Sequence, residues 1–340
     1  MKLWSLWATD MANVAIFVPH NGCPHKCSFC DQRHITGQSS QPTANDVKST
    51  LKTALSSLKE KSKETEIAFF GGSFTAIDKN YMLELLESTK EYIGSFKGIR
   101  ISTRPDAINS EILDILKSYK VTSIELGAQS MVDSVLSANE RGHSANDIKK
   151  ASHLIKSYGF SLGLQMMTGL YQSNDDLDLY TANEFIKLNP DTVRIYPTVV
   201  LDNTTLASLF KSGKYSPPDA ETASKLCAKL IPMFENANIK VIRVGLHDTE
   251  SLKSNMIGGA FHPAFRELCE AQIYYNKILT VLNAQNINNG EINILVPKAD
   301  LSKAIGQKGY NRQKLLTMGF TPSFIPNDTL ANRQVLIKKG

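Results

Sequence analysis

The chain has 340 residues, a net charge of +5, 42% hydrophobic and 21% charged residues, proportions that exclude a disordered or collagen-like polypeptide. Five cysteines, an odd number with three bunched together, exclude a disulfide framework and point to a reducing compartment. The modest positive charge permits an anionic partner without demanding one.

The opening MKLWSLWATDM has one lysine and an apolar patch broken by serine and threonine, too weak for a signal h-region. No stretch is long and apolar enough to span a bilayer, so the protein is expected to be cytoplasmic. From residue 14 onward, short apolar, β-branched runs alternate with amphipathic helical segments. The predicted strands are VAIFVPH (14–20), EIAFFGG (66–72), GIRISTR (98–104), SIELGAQS (123–130), SLGLQMM (161–167), TVRIYPTVV (192–200) and KVIRVGLH (240–247). NDVKSTLKTALSSLKE, DKNYMLELLESTKEYIG and SANDIKKASHLIKSYGF read as helices between them. Strand followed by helix, repeated, implies parallel strands with right-handed crossovers in an α/β fold, with the site at the strand C-terminal ends.

Directly after the first strand, NGCPHKCSFCDQ places Cys23, Cys27 and Cys30 in a C-x3-C-x2-C run opened by Gly22 and Pro24. Zinc is one reading, with His20, His25 or His34 completing a tetrahedron. An iron–sulfur cluster is the other: three thiolates on a [4Fe–4S] cube leave one iron for an external ligand. FFGGSF (69–74), STRPD (102–106), ELGAQS (125–130), NERGH (139–143) and QMMTGL (165–170) follow or end later strands. Buried polar residues need partners, and several converging on one barrel mouth suit a polar ligand.

The cysteine spacing resembles the signature of the radical S-adenosylmethionine (SAM) superfamily, with Phe29 matching an aromatic often found there. STRPD, ELGAQS, RGH, MMTGL, RIYPTVV and LFKSGKY together resemble the radical-SAM half of the Elongator catalytic subunit and its archaeal and bacterial relatives, which modify tRNA wobble uridine. The resemblance covers residues 14–250 and implies a partial (β/α)6 TIM-type barrel. It further implies a [4Fe–4S] cluster on Cys23, Cys27 and Cys30, and SAM contacts from Gly71, Gly72, Glu125, Gln129, Arg141 and Gln165. Arg104 and Tyr196 would be pocket residues. An electron donor such as flavodoxin or ferredoxin is implied as a partner; catalytic residues and oligomeric state are not. Tyr196, Tyr215 and Cys227 are candidates for quenching a later radical. The sequence departs from that branch in its shorter first cysteine gap, a form shared with oxygen-independent coproporphyrinogen oxidases. The residues after 250 also lack a recognisable acyl-CoA loop, so radical generation carries over and carboxymethyl chemistry does not.

After residue 247 the alternation stops. FHPAFREL (261–268) opens a helix running to Gln285, with His262 packed beside Phe261 and Phe265, and Cys227 and Cys269 are expected to be buried thiols. Strand EINILVP, helix KADLSKAI, a GQKG loop, helix YNRQKLLTMGF and strand TPSFI complete the chain. AIGQKGYNRQKLL (304–316) resembles the core of a KH domain, a small α+β module, with Asn311 at a position where such modules often carry asparagine or isoleucine. RNA contacts are then expected from Lys303, Gly306, Lys308, Gly309, Arg312 and Lys314; the alternative is a glycine-capped helix–turn–helix with solvated lysines. The expected division is a radical-SAM barrel (1–250), a helical linker (251–289) and a KH-like RNA-binding module (290–340). The expected function is SAM cleavage at the cluster and hydrogen abstraction from RNA, with tRNA as the expected class. Two other readings remain open: a radical SAM enzyme acting on a porphyrin-type small molecule, and a zinc-stabilised RNA-binding protein without catalysis.

Overall fold

The computed structural model describes residues 13–19, 23, 26–31 and 40–340. They divide into two compact units, Met1–Pro218 with Met233–Phe261, and Asp219–Pro232 with His262–Gly340.

In the first unit seven strands form one sheet: β1 (Asn13–Val18), β2 (Glu66–Gly71), β3 (Gly98–Thr103), β4 (Val121–Gln129), β5 (Ser161–Thr168), β6 (Thr192–Pro197) and β8 (Lys240–Val244). All neighbours pair in parallel, in chain order. The sheet curls into a partial barrel, as expected, with β8 as a seventh strand beyond the six. Its helices start where capping chemistry allows. Thr43 and Ser144 form reciprocal capping boxes with Asp46 and Asp147, and Asn109 and Asn174 accept backbone hydrogen bonds at two further starts. Alternation along each strand sends Ile67, Phe69, Ile99, Ile101, Ile124, Leu162, Leu164, Val193 and Ile195 into an apolar layer.

The apolar run 192–200 does not stay in one strand. It breaks at Thr198, and β7 (Val199–Leu201) leaves to pair antiparallel with β9 (Met256–Gly259). Gly259 makes this crossing possible: it has φ +96°, and a Cβ there would lie 2.5 Å from the Thr198 carbonyl oxygen.

In the second unit β10 (Gly290–Val296) lies between β11 (Phe320–Pro326), parallel to it, and β12 (Leu336–Lys339), antiparallel. Ile292, Ile294 and Val296 face Tyr274, Ile278 and Leu282 of the helix Phe265–Ala284, and Leu315 of the helix Tyr310–Thr317. Buried Asn311 donates to the carbonyls of Ala271 (2.8 Å) and Ala304 (3.0 Å). The second bond satisfies a carbonyl near the end of the short helix Leu301–Ile305 and so holds the GQKG turn. Buried Arg333 pairs with Glu270 through Nε (2.9 Å) and Nη2 (2.6 Å). No helix among the described residues is long and apolar enough to cross a membrane.

Candidate active site at the barrel mouth

The cysteine segment follows β1. His20, Gly22, Pro24, His25 and His34 lie outside the described residues, so the zinc reading and the loop-opening residues have no structural account. Cys23 is exposed, Cys30 half-buried and Cys27 buried. Burial and the thiols of Cys27 and Cys23 push Cys30 up to about 12. Desolvation and Cys27 also raise Cys23, while Arg104 and Arg141 pull it down. Among the described residues no group of three or more His, Cys, Asp or Glu side chains closes on a single metal-ion position.

Ser28 is fastened from three sides. Its N–H donates to the Asn139 carbonyl (3.2 Å), its hydroxyl to Asn139 Oδ1 (3.0 Å), and its carbonyl accepts from Leu206 N–H (2.7 Å). Phe29 packs against a cluster formed by Val200, Leu206, Ala207 and Tyr215, a structural role that needs no ligand.

Arg141 reaches this loop from the segment after β4. It is 6% exposed, and its Nη1 donates to Cys27 Sγ at 2.9 Å. Its Nη2 donates to the Gly127 carbonyl, and Arg104 Nη2 donates to the Arg141 carbonyl at 2.6 Å. Arg104 is held in turn by Asp106, at 2.9 and 3.0 Å. Polar atoms near these arginines remain buried without a partner: Arg104 Nη1, Arg141 Nε, Gln129 Oε1 and His143 Nδ1. Burial, then the Arg141 charge, lowers His143 to about 4, so it stands neutral at neutral pH. Gln129 has φ +70° at a register shift between β4 and β5, a bulge that re-aims the strand end.

Glu125 and Gln165 lie inside their strands rather than at the ends. Glu125 is wholly buried, and its Oε1 pairs with Arg194 Nε and accepts from Gln165 Nε2, both at 2.6 Å. Its Oε2 lies 3.7 Å from Arg100 Nη1. Arg100 Nε binds Glu66 at 2.7 Å, and Ser123 donates to the other Glu66 oxygen at 2.7 Å. Burial alone would lower the Arg194 guanidinium, but the Glu125 carboxylate and Tyr196 phenol facing it raise it. The barrel interior therefore holds two carboxylates and two guanidiniums. Sequence reasoning missed Glu66, Arg100 and Arg194; their signal was charge at alternate positions of otherwise apolar strands.

Gly71 has a packing reason of its own. With φ +115°, a Cβ there would sit 2.8 Å from the Val18 carbonyl oxygen, which also accepts from Gly72 N–H at 2.8 Å. Tyr215 donates to the Gly169 carbonyl. Cys227 and Cys269 are both fully buried in the second unit. There too, Lys303 is bound to Asp300 at 2.7 Å, while Lys308 and Arg312 are exposed on and beside the GQKG turn.

The sequence model of the radical SAM superfamily matches residues 17–181, and that of the radical SAM C-terminal domain matches residues 190–275. A tRNA uridine(34) acetyltransferase from Dehalococcoides mccartyi (strain CBDB1) is 25% identical over 265 residues, 68% of this chain and 58% of that protein. Elongator complex protein 3 from Homo sapiens is 27% identical over 232 residues, 62% of this chain and 42% of that protein. The chain thus spans about half the length of these curated relatives. Among solved structures, Methanocaldococcus infernus Elp3 lacking residues 1–46 superposes with a TM-score of 0.59 at 19% identity, covering 82% of this chain and 64% of that one.

The family implies SAM and an iron–sulfur cluster, and the residues at the mouth suit both. Cysteines of which Cys23 and Cys30 are raised by their neighbours are a set that a polyvalent cation neutralises, and the partnerless buried polar atoms suit a ligand rich in hydrogen-bonding groups. From the matched sequence models and this fold, the chain belongs to the radical SAM superfamily.

Proposed function

We propose that Cys23, Cys27 and Cys30 hold a [4Fe–4S] cluster whose fourth iron binds SAM, and that the enzyme abstracts hydrogen from an RNA substrate, tRNA in particular. The observation that carries the site assignment is the Arg141 guanidinium on Cys27 Sγ at 2.9 Å, which ties the cysteine loop to the partnerless polar atoms after β3 and β4. Bound there, the cluster and SAM would supply one-electron reductive cleavage of a sulfonium and, through it, hydrogen abstraction from a substrate carbon.

This chain's residues bind and orient. Arg141 neutralises the Cys27 thiolate, Ser28 and Asn139 fix the loop, and Gln129 and Arg104 offer an acceptor and a donor to SAM. Glu125, paired with Arg194 and bonded by Gln165, acts with Gln165 on SAM through the shape of the pocket floor, and Gly71 and Gly72, packed on the Val18 carbonyl, bring the end of β2 to the SAM site. The names of the relatives support tRNA as substrate. The KH-like tail supports RNA contact through Gly306, Lys308, Gly309, Arg312 and Lys314; Lys303 contributes least, because Asp300 neutralises it. Functionally, residues 1–250 carry the radical chemistry and 290–340 the RNA, with 251–289 between them, and flavodoxin or ferredoxin supplies the electron.

Anaerobic reconstitution with iron and sulfide tests this reading. Dithionite-dependent 5′-deoxyadenosine with the broad visible absorbance of a cluster is expected, and Cys27→Ala abolishes both. Colourless protein containing zinc would refute it.

A further inference from the structure

Residues 290–340 carry eight Lys and Arg against three Asp and Glu, a difference of +5 that equals the net charge of the whole chain. All of the chain's net positive charge therefore resides in its last fifty-one residues. Three of these cations face a carboxylate within the protein: Lys303 is bound to Asp300, Arg333 to Glu270, and Lys314 lies 4.0 Å from Glu221. Lys308 and Arg312 are exposed and make no ion pair among the described residues.

Beside them the GQKG turn carries Gly306, Lys308 and Gly309 at φ +80°, +52° and +75°. A Cβ on Gly309 would meet nothing within 4 Å, so one side of the turn is open to an approaching backbone. Tyr310 follows immediately and is 36% exposed. One helical turn on, Lys314 Nζ lies 4.4 Å from the Tyr310 ring centroid and 5.0 Å from that of Tyr275. Arg312 lies 5.9 Å from the Phe324 ring. Each exposed or half-exposed ring here is coupled to a cation.

We propose that this face binds single-stranded RNA by stacking an unpaired base on Tyr310, with the adjoining phosphates over the Gly306–Gly309 turn and beside Lys308 and Lys314. The inference rests on the RNA reading above and adds to it the base contact at Tyr310. A ring can stack only on a base whose face is free, which a duplex withholds. Lys314 polarises the Tyr310 ring and neutralises the phosphate that a stacked nucleotide brings with it. Glu221, bound to the Tyr310 hydroxyl at 2.8 Å, sets the orientation of the ring.

The test uses the full chain and a short fluorescein-labelled, mixed-sequence single-stranded RNA, read by anisotropy, with its duplex as competitor. Tyr310→Ala and Tyr310→Leu are each expected to weaken single-strand binding by about 5- to 100-fold, and Tyr310→Phe to retain it. Lys314→Gln should reduce the slope of log affinity on log salt by about one. Ultraviolet crosslinking of wild-type protein should place a nucleotide adduct on Tyr310, which needs no variant to fold. Equal binding by wild type and Tyr310→Leu, or equal preference for duplex, would overturn the stacking inference and leave the RNA reading intact. Protein that forms 5′-deoxyadenosine yet retains no RNA would overturn both the inference and the RNA substrate, leaving the radical chemistry standing.

Discussion

Replacing Glu125 by Gln separates two roles for this residue, SAM contact and barrel stability. Glu125 pairs with Arg194 at 2.6 Å and lies 3.7 Å from Arg100, and all three side chains are nearly inaccessible. The substitution keeps the size and removes the charge, so Arg194 loses its paired carboxylate while Arg100 keeps Glu66. Leaving a buried charge uncompensated costs about 3–5 kcal/mol. For a unit of this size each kcal/mol lowers the thermal midpoint by about 2–4 °C, a predicted drop of roughly 6–20 °C. Differential scanning fluorimetry of the apoprotein measures it, and calorimetric titration with SAM after anaerobic reconstitution measures the other role. A midpoint within about 2 °C of wild type with weakened SAM affinity would refute the reasoning and return Glu125 to the ligand.

Gly163→Ala attacks the same network from the next strand. The new Cβ would lie 3.0 Å from Glu125 Cγ and Thr192 Oγ1, and an overpacking loss of about 1–3 kcal/mol in urea unfolding is expected. Arg141→Gln removes a cation 2.9 Å from Cys27 Sγ. If about 1 kcal/mol of that contact favours the reduced cluster, the midpoint potential should fall by roughly 40 mV in spectroelectrochemistry. Burial raises the Asp178 carboxyl to about 6, against hydrogen bonds from Ser173 and Gly169 that lower it. A carboxyl raised on folding holds its proton more tightly in the native state, so this contribution to stability is full below the unfolded value and is lost as pH rises through 6. Asp178→Asn should therefore gain stability relative to wild type by up to about 3 kcal/mol between about pH 4 and pH 7; parallel pH profiles would refute the assignment.

The barrel was readable because each strand is a short β-branched run bounded by turn residues, and the cysteine loop because its spacing is local. What escaped depends on long-range pairing. The run 192–200 looks like one strand; its division at Thr198 is decided by β9, nearly sixty residues later, and by the room Gly259 leaves. The strand Leu336–Lys339 is short and largely exposed, and periodicity offers no signal over so few residues. Glu125 was legible as a polar residue in an apolar strand, but its partners Arg194 and Gln165 sit on other strands and its carboxylate faces the barrel interior. Arg141 was legible as a mouth residue, whereas its bond to Cys27 joins positions 114 apart.

The anchoring of Ser28 bears on how iron would be loaded. Its three bonds to Asn139 and Leu206 are made entirely within the polypeptide, so this part of the cysteine segment is set before any inorganic component arrives. Assembly of the cofactor then forgoes part of the ordering entropy that a floppy thiol-bearing strand would forfeit, and oxygen damage that strips the metal would leave Ser28 anchored by the same three bonds.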